Sequence, residues 1–197
     1  RVIVHRSIHD HLVGGLQQAI GHMKVGDPLE RDTVVGPVIS APHRERIEGY
    51  IRAGVDEGAT IAAGGDRPDM ERGYYVAPTL LVDCTNEMTP VREELFGPVV
   101  VVVPFDDEDE AVAIANDSDY GLSGTVWTGD LQAGLDIARK VRTGTYTVNG
   151  FAMEWGAPFG GFKDSGVGRE LGPEGLAAYL ESKTINLPAG TEPTLAY

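Results

Sequence analysis

Short apolar runs alternate with segments of helical periodicity from one end of the chain to the other. Near the N-terminus, apolar residues recur at a spacing that places them on one helix face: Leu12, Val13, Leu16, Ile20 and Met23. Strand-like runs occur at residues 1–5, 60–63, 74–82, 99–105, 123–128, 145–148 and 183–187. Strands separated by helices predict an α/β fold: an open, mostly parallel, twisted sheet with flanking helices and right-handed crossovers.

Individual residues predict where helices begin and where strands lie in the sheet. Ser40 is typical of a helix N-cap, and Ser7 or Asp10 is predicted to cap the first helix. Pro78 lacks the backbone donor that a strand ladder needs, so we expect its strand at a sheet edge or in a hairpin. Residues 99–105 are apolar on both faces, which predicts a central parallel strand.

Composition and charge narrow the classes of partner. The chain has 197 residues, of which 42% are hydrophobic and 23% charged, as in globular domains. Its formal net charge is -14 and its pI is near 4.6. An acidic surface repels phosphate groups, so we expect neither nucleic acid nor an anionic membrane as a partner. No apolar run is long enough to span a bilayer.

The cysteine content indicates the cellular compartment, and the first residues indicate whether the sequence is part of a longer chain. One cysteine, Cys84, excludes an internal disulfide and is typical of a reducing compartment, so a cytoplasmic location is expected. Cys84 follows a predicted strand and is expected to be a small buried hydrophobe. Arg1 begins inside a predicted strand without an initiator methionine. We therefore expect an internal point of a longer chain, or a processed end.

The segment at residues 93–99, Glu-Glu-Leu-Phe-Gly-Pro-Val, places a carboxylate two residues from an aromatic ring. The two oxygens of a carboxylate can accept both hydroxyl protons of a vicinal diol such as a ribose. The ring supplies a flat apolar wall for a planar heterocycle. Taken alone, the segment is equally compatible with a solvated acidic turn before a strand.

A second segment, residues 157–170, combines several glycines with a proline, which predicts a loop held at close range against other backbone. Its Gly166-Val167-Gly168 is not a dinucleotide-binding fingerprint. Leu171 stands where a third glycine is required, no strand leads into the loop, and no helix opens there.

Several motifs, taken in order, carry a resemblance to a known family. They are residues 93–99, Asn116 with Tyr120-Gly121-Leu122, Asn149, Pro158-Phe159-Gly160-Gly161, Gly168-Arg169-Glu170, Gly175-Leu176 and Lys183-Thr184. In this order and approximate spacing they resemble the NAD(P)-dependent aldehyde dehydrogenases, over nearly the whole chain to about Leu187.

The resemblance implies that the chain is the C-terminal part of such an enzyme. Residues 1–182 would be part of the catalytic domain, 183–187 a strand that joins a neighbouring subunit, and 188–197 a tail. The nucleophilic cysteine, the general-base glutamate and the oxyanion asparagine would all lie upstream of Arg1, and Cys84 matches none of them. The chain alone is therefore expected to be inactive, and the whole enzyme to be a homodimer or homotetramer.

The implied chemistry is covalent oxidation of a small-molecule aldehyde to a carboxylic acid. A cysteine thiolate adds to the aldehyde, hydride moves to NAD or NADP, and activated water hydrolyses the thioester. By resemblance, Glu94 accepts hydrogen bonds from the nicotinamide ribose and Phe96 packs beside the nicotinamide. Phe159 matches a wall of the aldehyde tunnel. Phe151 and Trp155 lie on a variable loop that shapes substrate choice, or else they fill a core.

Other interpretations stay open. The chain could be a non-catalytic interaction module that pairs through the strand at residues 183–187. It could also come from the CoA-acylating branch of the same superfamily, although the complete residues 93–99 favour the hydrolytic branch. His5, His9 and His11 lack the ligand spacing of a metal site. His43 is expected on the surface of a helix.

Overall fold

Residues 1–191 are described by a computed structural model, and the predicted tail at 188–197 lies partly outside them. The helices are α1 (His9–Gly21), α2 (Ala41–Asp56), α3 (Thr89–Arg92), α4 (Glu108–Asn116), α5 (Leu131–Lys140) and α6 (Gly172–Ala177). The strands are β1 (Val2–His5), β2 (Thr60–Ala63), β3 (Thr79–Val82), β4 (Val99–Phe105), β5 (Tyr120–Gly121), β6 (Ser123–Val126), β7 (Thr145–Val148) and β8 (Phe162–Lys163).

The main sheet has the order β1-β4-β3-β2. Strand β4 pairs in parallel with both β1 and β3, and β2 is antiparallel to β3. The predicted α/β fold, and the central position of β4 within it, are confirmed. Helices flank both faces because β4 is apolar on both of them.

The two faces of the sheet bury separate sets of side chains. Val101 and Val103 of β4 face the cluster that contains Ile47 and Ile51 of α2. Val102, between them in sequence, faces the cluster covered by α1. This alternation follows from the two-residue period of a strand. Of the residues predicted on one helix face, Leu12, Val13, Leu16 and Ile20 pack there, whereas Met23 lies beyond the end of α1 and is exposed.

Two smaller sheets complete the described fold. β6 and β7 are parallel and are connected through α5, while β5 pairs with β8 in antiparallel fashion. The β6–α5–β7 unit is the strand–helix–strand crossover predicted from the sequence. No helix within residues 1–191 combines the length and the apolar character needed to cross a bilayer.

Some local predictions were wrong. Strand β3 begins only after Pro78 and lies between β4 and β2, so the sheet-edge alternative fails, while antiparallel pairing with β2 agrees with the hairpin alternative. Neither Ser7 nor Asp10 caps α1. A 3-10 turn precedes this helix, and the ring of His5 accepts the Ser7 N–H there. The cap predicted at Ser40 is confirmed, since its side chain accepts the backbone N–H of His43.

The C-terminal end of the described chain has little regular structure. Helix α6 covers Gly172–Ala177, and residues 183–187 are assigned to neither helix nor strand in the single chain. Ile185 in this stretch is 73% exposed. A strand that pairs only with another subunit has no ladder partner within one chain, so its pairing stays a prediction.

Candidate active site

Residues 93–98, which we call the Glu94 segment, connect α3 to β4 and border a pocket of about 240 Å³. One side chain of the segment faces the core between exposed neighbours. Leu95 is buried, whereas Glu94 and Phe96 on either side of it are exposed. Both exposed residues line the pocket, together with Arg1 and Val91. The structure therefore brings the predicted carboxylate and aromatic ring to one cavity.

The pocket has the features that a ribose and a planar ring require. Among the ion pairs formed within residues 1–191, none involves Glu94, so its oxygens can accept hydrogen bonds from a ligand. The Phe96 ring is 73% exposed and offers an apolar surface beside this carboxylate. These features fit a nicotinamide nucleoside.

A wider concavity adjoins this pocket at Phe96. It has a volume of about 670 Å³ and shares Phe96 and Gly97 with the first pocket. Its remaining lining is mostly apolar: Pro37, Val38, Ile39, His43 and Pro98. The Glu94 segment thus forms a wall between the two concavities.

Helix α2 supplies contacts that sequence reasoning missed. His43 was expected to be a surface residue, but it is half-buried and its Nε2 lies 2.8 Å from the carbonyl oxygen of Phe96. Arg46 donates from Nη2 to the carbonyl of Leu95 at 3.4 Å. His43 precedes the fully buried Ile47 by one helical turn. This spacing is the signal that could have placed His43 on the inward face.

Tyr120 of β5 lies near Glu93 and Glu94 and pairs with the glycine-rich loop, residues 157–170. Partial burial, followed by the nearby negative charges of Glu93 and Glu94, raises the pKa of the Tyr120 phenol. Tyr120 also pairs with Lys163, which lies inside the loop. The Glu94 segment and the glycine-rich loop are therefore close in space, although more than fifty residues separate them in sequence.

The glycine-rich loop, residues 157–170, is closed by backbone contacts between Phe159 and Glu170. Phe159 and Glu170 exchange both N–H···O bonds at 2.7 Å, and Phe159 is half-buried at this closure. A Cβ on Gly161 would lie 2.4 Å from the Ser165 side chain. Arg169 donates from Nη1 to the carbonyls of Gly161 and Gly168. The expectation of backbone held at close range is confirmed.

Phe151 and Trp155 occupy a different environment. They are 85% and 72% exposed, respectively, and neither lines the pockets beside Phe96. The alternative that they fill a core is therefore wrong for the described chain. Asn149, just before this loop, is structural: its amide bonds both the N–H and the carbonyl of Thr128.

The surroundings of Cys84 are unfavourable for a nucleophile. It is 2% exposed at the end of β3, and burial raises the pKa of its thiol from 9.0 to about 11. A protonated, buried thiol is a poor nucleophile. The N-terminal histidines have other partners: His5 contacts Ser7 and the Asp106 carbonyl, and His9 contacts Asp10. Within residues 1–191 no group of three His, Cys, Asp or Glu side chains could hold a metal ion.

Comparison with known proteins identifies the family. The aldehyde dehydrogenase family model matches residues 1–185. Geranial dehydrogenase from Castellaniella defragrans is 46% identical over 95% of this chain and 39% of that protein. Betaine aldehyde dehydrogenase from Brucella melitensis is 41% identical over 96% of this chain and 40% of that protein.

Solved structures agree as well. An aldehyde dehydrogenase from Mycobacterium tuberculosis complexed with NAD+ has a TM-score of 0.94 at 44% identity, over 98% of this chain and 40% of that one. Betaine aldehyde dehydrogenase from Staphylococcus aureus in complex with NAD+ has a TM-score of 0.89 at 42% identity, over the same shares. The chain belongs to the aldehyde dehydrogenase family of oxidoreductases. It spans about 40% of the length of these relatives.

Proposed function

We propose that the intact native protein is an NAD(P)-dependent aldehyde dehydrogenase that oxidises an aldehyde to a carboxylic acid through a cysteine thioester. The observation that carries the proposal is the pairing of Glu94 and Phe96 on one pocket, in a chain whose residues 1–185 match the family. Relatives solved with NAD+ support NAD as the coenzyme. NADP is the alternative, to be compared directly.

This chain contributes the coenzyme-facing and substrate-facing half of the site. When bound, the nicotinamide supplies the hydride acceptor. The Glu94 carboxylate would accept hydrogen bonds from the adjacent ribose diol and so restrict rotation of the nucleoside. The exposed Phe96 ring would pack beside the planar group and limit the access of water. Both residues would orient the reacting ring, and hydride transfer depends on that orientation.

The nucleophile is proposed to come from residues outside this chain. Cys84 is buried with a raised thiol pKa, and it is the single cysteine of the sequence. From the resemblance of its motifs we propose that the chain is the C-terminal part of the catalytic domain, and without a nucleophile we expect it to be inactive alone. Residues 183–187 would pair with a neighbouring subunit of a homodimer or homotetramer. A cytoplasmic location also stays a prediction, based on the single cysteine.

The aldehyde is proposed to be apolar. Phe159, Phe151 and Trp155 supply aromatic surface on the substrate side, and one relative is a geranial dehydrogenase, whose named aldehyde is a hydrocarbon-like terpenoid. Betaine aldehyde, named for another relative, carries a quaternary ammonium group that aromatic faces also bind. Comparing these two aldehydes as substrates decides between an apolar and a cationic preference.

Replacement of Glu94 tests the proposed function. In the intact native protein, Glu94→Gln keeps the size of the side chain but removes the charged acceptor. We expect hydride transfer to slow by roughly 10- to 100-fold, from the typical value of a charge-assisted hydrogen bond. Aldehyde binding should change much less. A single-turnover assay of nicotinamide reduction separates the two quantities.

The neighbouring acid provides a matched control. Glu93 borders the same pocket, so Glu93→Gln makes the same chemical change one residue away. Its effect on the single-turnover rate should be several-fold smaller. An unchanged rate in Glu94→Gln, or equal losses in both variants, would contradict the role given to Glu94.

Two rival functions remain to be tested in the same preparation. Formation of an acyl-CoA when CoA is added would indicate the CoA-acylating branch. A protein that forms stable oligomers but reduces neither NAD+ nor NADP+ with any aldehyde would be the non-catalytic interaction module. The complete residues 93–99, with Glu94 and Phe96 on one pocket, favour the hydrolytic enzyme over both.

A further inference from the structure

Phe96 has a backbone conformation that must be maintained by its surroundings. Its φ is +51°, in the region that favours glycine. A non-glycine residue there is strained by about 1–3 kcal/mol and persists only when neighbouring contacts hold it. The ring itself is largely exposed, so packing of the side chain does not supply those contacts.

One face of α2 supplies them. His43 lies 2.8 Å from the Phe96 carbonyl, and Arg46 donates to the Leu95 carbonyl. One residue further along the helix, Ile47 is fully buried and packs under Gly97, where an added Cβ would lie 2.6 Å from its Cδ1. Residues three and four positions apart lie on the same helix face, so His43, Arg46 and Ile47 all contact the Glu94 segment from one side.

The hydrogen bond to Phe96 also defines the state of the imidazole. A carbonyl oxygen only accepts, so Nε2 of His43 must carry the proton. The side chain of His43 is not needed for the cap of α2, because Ser40 accepts from the backbone N–H of His43. Replacement of the His43 side chain therefore removes one contact to the Glu94 segment and leaves the helix cap in place.

We propose that His43 is a positioning residue, whose Nε2–H holds the strained Phe96 backbone and so fixes the ring that covers the nicotinamide. The inference rests on the proposed function for its kinetic readout. His43 acts through Phe96 and not by reacting with substrate. Loss of the bond would let Phe96 relax to a negative φ and displace the ring from the wall between the two concavities.

Two replacements of similar length distinguish this role from packing. His43→Gln retains an N–H donor at nearly the reach of Nε2, whereas His43→Met fills similar volume without a donor. Both residues are good helix formers. In the intact native protein, we expect His43→Met to weaken NAD+ binding and slow single-turnover hydride transfer by about 10-fold each, from the loss of one hydrogen bond. His43→Gln should retain most of the NAD+ affinity and most of the hydride-transfer rate. The thermal unfolding midpoints of the two variants should agree.

A double-mutant cycle with Phe96→Ala tests whether the effect passes through Phe96. If His43 acts by holding Phe96, His43→Met should cause almost no further loss of NAD+ affinity in a protein that already carries Phe96→Ala. Additive losses, or equal losses in the Gln and Met variants, would overturn the proposal. Imidazole nitrogen NMR gives a readout independent of turnover, since the proposal requires an Nε2–H and a spectrum of the Nδ1–H tautomer contradicts it.

The outcomes separate this inference from the proposed function. Wild-type protein that binds NAD+ but oxidises no aldehyde would overturn the proposed function alone, and the role of His43 would then be decided by NAD+ affinity and the imidazole spectrum. Wild-type protein that binds no nicotinamide coenzyme would overturn both. Normal turnover with indistinguishable Gln and Met variants would overturn the His43 role alone.

Discussion

The Glu94 segment and the loop that carries Phe151 and Trp155 both present aromatic rings to solvent, but they are supported differently. Beneath the Glu94 segment, Leu95 is buried and the Pro98 carbonyl accepts the N–H of Thr79 in β3 at 2.8 Å. Contacts from α2 add to this support. A segment bonded to both a helix and the central sheet has few alternative conformations.

The loop at residues 150–157 depends mostly on contacts within itself. Gly156 and Ala157 both donate to Glu154, at 3.0 and 3.1 Å. One bond connects its start to a neighbouring strand, from the Thr125 hydroxyl to the Gly150 carbonyl. Loops of this kind tolerate change and adopt new conformations at low cost.

Under the proposed function, this difference would match the needs of the two ligands. A rigid contact would suit the coenzyme, because hydride transfer tolerates little displacement. An adjustable loop would let aldehyde preference change without disturbing the coenzyme contact. The comparison predicts that substitutions in the Glu94 segment alter stability and coenzyme use, whereas substitutions in the loop alter aldehyde preference.

Matched glycine replacements should give the largest contrast in stability. A Cβ on Gly97 would lie 2.6 Å from the buried Ile47, so Gly97→Ala should lower the free energy of unfolding by about 1–3 kcal/mol. On Gly156 the nearest atom is a Glu154 carboxylate oxygen at 3.3 Å, which can move into solvent. Gly156→Ala should therefore stay within about 0.5 kcal/mol of the parent. Urea unfolding measures both, and equal losses would contradict the comparison.

Replacement of Trp155 should have a smaller effect, confined to substrate. The ring is 72% exposed, so Trp155→Ala should leave the unfolding midpoint nearly unchanged. We expect the ratio of kcat/KM for an apolar aldehyde over acetaldehyde to fall by roughly 10-fold, the value of a modest hydrophobic contact. NAD+ affinity serves as the internal control. A change in NAD+ affinity without a change in aldehyde preference would place Trp155 on the coenzyme side.

The smallest effect on turnover is expected at Cys84, which lies in the core cluster that contains Ile47 and Val91. Cys84→Ala should leave coenzyme-dependent turnover of the intact protein within about 2-fold, since surroundings of this kind make a cysteine inert. A large loss of turnover in this variant, at unchanged stability, would contradict the exclusion of Cys84 as nucleophile.

Alkaline unfolding gives a second test at Cys84. The folded thiol pKa, about 11, is above its ordinary value of 9.0. Between these values the unfolded chain loses the proton first, so stability should fall as pH rises from about 9 to about 11. Thermal unfolding measured over this range should show a shallower fall in Cys84→Ala. Equal pH dependence in both proteins would show that another group is responsible.

Features that depend on neighbouring residues, such as the central strand and the cap of α2, were predictable from the sequence. Apolar character on both faces of Val99–Phe105 predicted the central strand, because a strand covered on both sides has no polar face to present. Ser40 was recognisable as a cap because the N–H that it accepts lies three residues away. The cap of α1 was missed because a 3-10 turn, closed by the His5 ring, replaces it.

The resemblance named the residues of the candidate site but not how they are held. It singled out Glu94, Phe96 and Phe159, and the structure places the first two on one pocket. It gave no indication of His43, which lies 53 positions from its bonding partner Phe96. Hydrogen bonds between distant residues leave no periodic signal in a single sequence, so reasoning from local pattern could not find this contact.

The sequence by itself determined the fold class, the central strand and the residue types that can hold a ribose and a planar ring, because each depends on side-chain chemistry and short-range spacing. Only the tertiary structure decided which elements support those residues. Packing of α2 against the sheet brings His43, Arg46 and Ile47 under the Glu94 segment, while the loop of Phe151 and Trp155 is left largely in solvent. Both outcomes depend on which distant elements pack against each other in the core. Burial of apolar surface is non-directional, so a single segment does not specify its packing partner before the whole chain has folded.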